Sequence, residues 1–218
     1  MAPTLGYWEL RGLGHAIRLL LHYKEVEFEN KMYTDPQEWF GNDKLNLGLK
    51  WPNLPYYIDG DVKITETSAI FAHLGRKHGL DGSTEQAKMN NDMAYSAALF
   101  HRIQFLRVVY DDNYDEKKDE LVAGLDDKVA QFSKELGDQD WFGGSELVYA
   151  DFCVYDLLDI WNQFKPGCVE KHDNLKAFMA RFAALPTLQK FMNSDKSMKN
   201  GPFNGPNAHW GAAKWGAK

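Results

Sequence analysis

The chain has 218 residues, 44% apolar, 14% aromatic and 26% charged, a balance that suits one or two soluble globular domains and excludes a disordered polypeptide. Its 25 basic and 31 acidic side chains leave a net charge of −6, which repels a phosphate backbone or an anionic lipid surface, so neither nucleic acid nor membrane is an expected partner. No apolar run approaches the roughly 18 residues of a spanning helix and no basic-then-apolar leader opens the sequence, so a cytoplasmic location is expected.

Residues Pro3 to Trp8 read as a strand, and Leu13, Ala16, Ile17, Leu20 and Leu21 then recur at the spacing of a helix with one buried face. Val26 to Tyr33 alternates apolar and polar side chains and reads as a second strand, which makes a βαβ unit. Thr34 to Lys50 is irregular, broken by Gly41 and Gly48, and reads as loop with short helical turns at most. Tyr56 to Asp59 and Val62 to Thr65 flank an Asp59-Gly60 hairpin signal, and Ser68 to Lys77 reads as a helix that ends at Gly79.

After the polar stretch DGSTEQ no convincing strand follows. Met89 to Val109, Leu121 to Leu136, Ala150 to Trp161 and Leu175 to Ala184 all carry helical periodicity. The shift in pattern marks a domain boundary: an α/β domain over 1–82, an all-helical domain over 87–205 and a Gly-, Ala- and Pro-rich tail over 206–218. By composition the tail is disordered, but Trp210 and Trp215 argue that part of it docks. Cys153 and Cys168 fit neither a redox pair nor a zinc knuckle, and both read as buried small apolar residues; the scattered histidines give no metal site.

LGYWELRGLGHAIRLLL, LGLKWPNLPYYIDGDVKIT and DFCVYDLLD, in that order, resemble a cytosolic glutathione transferase of the mu class over nearly the whole chain. The resemblance implies a thioredoxin-like N-terminal domain that binds glutathione, a helical C-terminal domain that lines the electrophile pocket, and a homodimer. Glutathione would be a co-substrate, with no prosthetic group and no metal.

Taken alone, Tyr7 is either a core tyrosine at a strand end or a functional hydroxyl. The resemblance makes it the catalytic tyrosine, whose hydroxyl stabilises the glutathione thiolate. Leu54, in Asn53-Leu54-Pro55, would pair its backbone with the cysteinyl part of the tripeptide, helped by a cis proline at Pro55. The helix beginning near Thr67 suits the γ-glutamyl carboxylate at its N-terminus, with Glu66 beside it. Trp39 and Lys44 would hold the glycyl carboxylate; Trp8 and Leu13 border both subsites. Trp8, Leu10 and Leu13 would form one wall for the electrophile, Arg102, Leu106 and Tyr110 the other, with Tyr110 as a general acid and Phe203 closing the pocket. Trp51 stands where the class places an aromatic knob at the dimer interface.

Three positions depart from the mu pattern. Pro36 falls where a loop arginine is expected, Glu66 replaces a glutamine, and Phe100 replaces the aspartate that a partner subunit offers to the γ-glutamyl ammonium. Glu66 is therefore expected to supply that anion locally. Val148 also removes a hydroxyl from the helix cap that Asp151 completes. The expected activity is conjugation of glutathione to hydrophobic electrophiles, a detoxification chemistry. A non-catalytic ligand-binding or structural relative and a glutathione-dependent isomerase are the alternatives.

Overall fold

In the computed structural model, which describes residues 2–215, the chain divides into two compact units, one of residues 1–74 with 190–218 and one of residues 75–189. The sequence reading carries the helical domain to 205; the contacts instead give everything from Lys190 onward to the first unit.

The first unit is built on a four-stranded sheet in the order β2-β1-β3-β4. Strand β1 (Thr4–Trp8) lies between β2 (Glu29–Tyr33), parallel to it, and β3 (Tyr56–Asp59), antiparallel to it; β4 (Val62–Thr65) closes the hairpin with β3. The parallel β1–β2 pair needs a crossover, and α1 (His15–Tyr23) supplies it, with an unbroken buried run from His15 to Leu21. Gly6 in β1 is required by packing, since a Cβ there would lie 2.1 Å from the Tyr56 ring. Gly60 turns the hairpin at φ +59.

β2 starts three residues later than the alternation predicts, because Val26 is used by the helix end before it. The Val26 N–H bonds the Leu21 carbonyl and the Glu25 N–H bonds His22, with Glu25 at φ +51, the double bond of a Schellman cap. The irregular segment after β2 winds into α2 (Pro36–Glu38), a π-helical turn over Trp39–Asp43 and α3 (Lys44–Asn46). Helix α4 (Thr67–His78) follows β4.

The second unit holds α5 (Glu85–Val109), α6 (Tyr114–Leu136), α7 (Tyr149–Phe164) and α8 (Asp173–Ala183), with α9 (Pro186–Met192) beginning near its end. α6 begins seven residues before the periodicity does: its first two turns are polar on all sides, and Asp115 and Glu116 favour that end through the helix dipole. α5 and α7 form the axis of this unit. The Asn91 side chain accepts the Ala150 N–H at 3.0 Å, and the Tyr149 hydroxyl donates to Asp92 at 2.8 Å. Val148 has no oxygen with which to cap α7, but Asp151 takes the Val148 N–H at 2.8 Å and the Phe142 N–H at 2.9 Å. Burial pushes the Asp151 carboxyl up to about 7 against the pull of those two bonds.

Candidate active site

Tyr7 stands near the end of the central strand, 7% exposed, in a cluster with Leu10, Tyr33, Trp39, Leu49, Leu54 and Tyr56, against which Trp8, Leu13 and Trp215 also pack. Six of the residues expected to form the site, Tyr7, Trp8, Leu10, Leu13, Trp39 and Leu54, thus meet in one place. The chain turns back immediately after β1 through Gly12, at φ +45, so that the Leu13 N–H donates to the Tyr7 hydroxyl at 3.0 Å. Accepting that bond polarises the phenol and makes its proton a better hydrogen-bond donor.

The turn is clamped from below and above. Arg18 of α1, fully buried, donates to the Leu10 carbonyl at 2.7 Å, the Trp8 carbonyl at 3.1 Å and the Asn30 side chain at 3.0 Å. From the other side the C-terminal segment pairs with the turn: the Arg11 and Gly12 N–H groups donate to the carbonyls of Pro202 and Phe203, and the Arg11 guanidinium lies over the Phe203 ring at 4.9 Å. The tail then runs on to stack Trp215 on Trp8, centroids 5.8 Å apart, with its indole N–H on the Glu9 carbonyl. The docking expected from the tail tryptophans is present for Trp215, and Trp210 stacks on Phe203 at 4.9 Å. Phe203 itself is buried at 6% exposure.

Asn53 and Glu66 are brought together across 13 residues by a bond from the Asn53 amide to the Glu66 carboxylate at 3.1 Å. Glu66 is exposed, held at φ +68, and its carbonyl accepts the Ile70 N–H, so it stands at the head of α4 next to Thr67. The Leu54–Pro55 peptide is cis and both residues are buried, while Asn53 before them is exposed.

Trp39 is 2% exposed and stacks on Tyr56, centroids 5.9 Å apart, with its edge to Tyr33 at 5.6 Å. Lys44 follows the π-helical turn, half-buried, its ammonium 5.3 Å from the centre of the Phe40 ring. Between them sits a polar hub that sequence reasoning missed. Asp43 accepts the Tyr33 hydroxyl at 2.6 Å and the Lys31 ammonium at 2.7 Å, and the Tyr33 and Tyr56 hydroxyls are 2.9 Å apart. Burial works against charge on Asp43, yet the bonds from Lys31 and Tyr33 outweigh it and hold the carboxyl below the usual carboxylate range. The signal was there in part: Lys31 and Tyr33 share one face of β2 at i, i+2, but nothing local pairs them with Asp43.

Arg102, Leu106 and Tyr110 lie on and at the end of α5 in the second unit. Arg102 is buried with its guanidinium 5.7 Å from the Phe105 ring centre, Leu106 is half-buried, and Tyr110 is 44% exposed. Trp51, at φ +50, is 83% exposed. The second unit also contains a cavity of about 380 Å³ between α5 and α6, lined by Met93, Ala97, His101, Phe132, Trp141 and Phe142 among others. Among the described residues no cluster of His, Cys, Asp and Glu could hold a metal ion, and no helix is long and apolar enough to cross a membrane.

A thioredoxin-like sheet domain with a buried tyrosine at the end of β1, followed by an all-helical domain, defines a glutathione-transferase architecture. Residues 3–76 match the model of the glutathione S-transferase N-terminal domain and residues 96–186 that of the C-terminal domain. The chain is 42% identical to glutathione S-transferase Mu 2 of Mus musculus over 217 residues, covering 96% of this chain and 99% of the relative. It is 40% identical to glutathione S-transferase 2 of Gallus gallus over 225 residues, covering 100% and 99%. Among solved structures, the glutathione S-transferase Blo t 8 superposes with a TM-score of 0.88 at 32% identity, covering 95% of this chain and 99% of that one. The pi-class enzyme of Onchocerca volvulus does so with 0.85 at 26% identity, covering 95% and 100%. The chain belongs to the glutathione S-transferase family, and several of its relatives at 38–42% identity are of the mu class.

Proposed function

We propose that this protein is a cytoplasmic, homodimeric enzyme that conjugates the thiolate of reduced glutathione to hydrophobic electrophiles, with Tyr7 as the catalytic hydroxyl. The observation that carries this reading is the Leu13 N–H on the Tyr7 hydroxyl at 3.0 Å, inside a largely buried aromatic cluster. A thiol of pKa about 8.5 is mostly protonated at neutral pH, and lowering that value by about two units takes roughly 2.7 kcal/mol of preference for the thiolate. One hydrogen bond to the charged sulfur from a hydroxyl already polarised by Leu13 supplies most of it.

Around that centre Leu54 offers backbone to the cysteinyl unit, Thr67 and the head of α4 receive the γ-glutamyl carboxylate, and the Glu66 carboxylate, steadied by Asn53, receives the ammonium. Trp39 and Lys44 take the glycyl carboxylate. For the electrophile, half-buried Trp8 and Leu13 supply apolar surface on the first unit, with buried Leu10 and Phe203 in the packing behind it. The expected general acid, Tyr110, is exposed at the end of α5 in the second unit, where Leu106 is half-buried and Arg102 buried.

Dimerisation would give two observations a common reason. Trp51 is a large aromatic presented to solvent, and α5 exposes Met89, Met93 and Phe100 beside a cavity spacious enough for an indole. In this reading each Trp51 enters the cavity of the other subunit, so Trp51→Ala should convert the dimer to monomer in sedimentation velocity; an unaltered dimer would place the interface elsewhere.

The chemistry is tested by ultraviolet titration of bound glutathione. A thiolate band present near pH 7 in the parent and absent in Tyr7→Phe supports the assignment. A parent that binds glutathione without that band would shift the reading to a binding protein.

A further inference from the structure

Trp39 opens a π-helical turn that Lys44 directly follows, an uncommon geometry that needs something to hold it. Its last residue, Asp43, is only 7% exposed and is tied to two strands of the sheet. Through Lys31 and the Tyr33 hydroxyl it is bonded to β2. Through the Tyr33–Tyr56 hydroxyl pair it reaches β3, where the Tyr56 ring stacks on Trp39 and fills the space over Gly6, the neighbour of Tyr7. Lys31 also bonds Glu38 at 3.2 Å, just before the turn, so one ammonium grips both ends of it. Asn42 donates its side-chain amide to the other Asp43 oxygen at 2.9 Å.

We propose that Asp43 is a positioning residue for the co-substrate: with Lys31, Tyr33 and Tyr56 it fixes the turn so that the Trp39 indole and the Lys44 ammonium converge on one carboxylate, that of the glycyl end of glutathione. This rests on the glutathione reading given above. It also answers how a loop carrying Pro36 in place of a cation keeps a defined shape. The turn takes its rigidity from a charge beneath it, and a single ammonium on a fixed backbone does the work of recognition. Pre-organisation of this kind acts on ligand affinity and leaves the sulfur chemistry at Tyr7 alone.

The test is Asp43→Asn, which keeps volume and an oxygen for Tyr33 but removes the charge that holds Lys31. Calorimetry with reduced glutathione should show its dissociation constant raised about five- to tenfold, with kcat at saturating glutathione and the pKa of the bound thiol unchanged. Lys44→Met should weaken binding in the parent and weaken it far less in the Asp43→Asn background, because the misplaced ammonium has already lost its contact. Asp43→Glu, which retains the charge, should recover part of the loss. Unaltered affinity in Asp43→Asn, or losses from the two substitutions that simply add, would overturn the proposal. If Asp43→Asn does not fold, Tyr33→Phe, which removes one bond to the same carboxylate, is measured against the same expectations. A parent that binds glutathione but forms no thiolate overturns the catalytic assignment of Tyr7 and leaves this one standing; a parent that does not bind the tripeptide overturns both.

Discussion

Gly12 gives the sharpest test of the geometry around Tyr7. A Cβ on this residue would lie 2.5 Å from the Tyr7 hydroxyl oxygen, 2.7 Å from Cε1 of the same ring and 2.5 Å from Cδ1 of Leu10, where ordinary contact begins near 3.4 Å. The backbone at φ +45 adds about 1 kcal/mol of strain for any L side chain, and forcing a methyl into a filled site adds about 1–3 kcal/mol. Gly12→Ala should therefore lower the unfolding free energy by about 2–4 kcal/mol. To relieve the clash the hydroxyl must move by about 0.9 Å, away from the Leu13 N–H and from any sulfur it serves. A misplacement of that size is worth up to about 10²-fold in rate. The assay pairs urea denaturation with kcat/KM for a generic aromatic halide, measured on the folded fraction and followed against pH. The expected result is a drop in kcat/KM with the thiol titration moved to higher pH. A variant destabilised as calculated but with full kcat/KM and an unmoved titration would refute the role of the hydroxyl.

Two further outcomes are expected. Glu66→Gln should raise the dissociation constant for glutathione several-fold if Glu66 is the proposed anion for the γ-glutamyl ammonium, since an amide can still bond Asn53; an unchanged constant in calorimetry sinks the assignment. His22 stacks on Phe191 at 3.9 Å, and burial, then Lys196 and Arg18, lower its pKa from the usual 6.5. Its folded-state pKa being depressed, the stability it allows is complete above pH 6.5 and is lost as pH falls through and below that value. His22→Phe keeps the stack and carries no proton, so the variant should gain on the parent in urea midpoint between pH 7.5 and pH 5.5; a constant difference would count against the depressed pKa.

The legibility of the chain differed from region to region for physical reasons. Elements with a regular apolar pattern announced themselves: the helix from His15, which is in fact buried on every side from His15 to Leu21, the hairpin on Asp59-Gly60 and the long helices of the second unit. Where an element is held by something other than a buried stripe, the pattern failed. The first turns of α6 carry no apolar stripe, only a half-buried Tyr114 and Lys118, and Val26 belongs to a helix cap although it alternates like a strand residue. For the candidate site, Tyr7 and Trp39 were singled out only through their company, and the structure packs both into one cluster. Asp43, Tyr33 and Tyr56 were unreadable because their meaning lies in tertiary hydrogen bonds between residues 10 to 23 positions apart, which no local spacing encodes.

The pairing of Arg11 and Gly12 with Pro202 and Phe203 has a consequence for the order of biosynthesis. During translation β1, α1 and the Tyr7 hydroxyl emerge before the helical domain, yet the backbone partners of the turn beside that hydroxyl are made only after it. A nascent chain can form the sheet while the ribosome is still reading the helical domain. Its turn after β1 is left half-held until residues 202 and 203 have emerged, so the surroundings of the Tyr7 hydroxyl are completed only after the helical domain has been made.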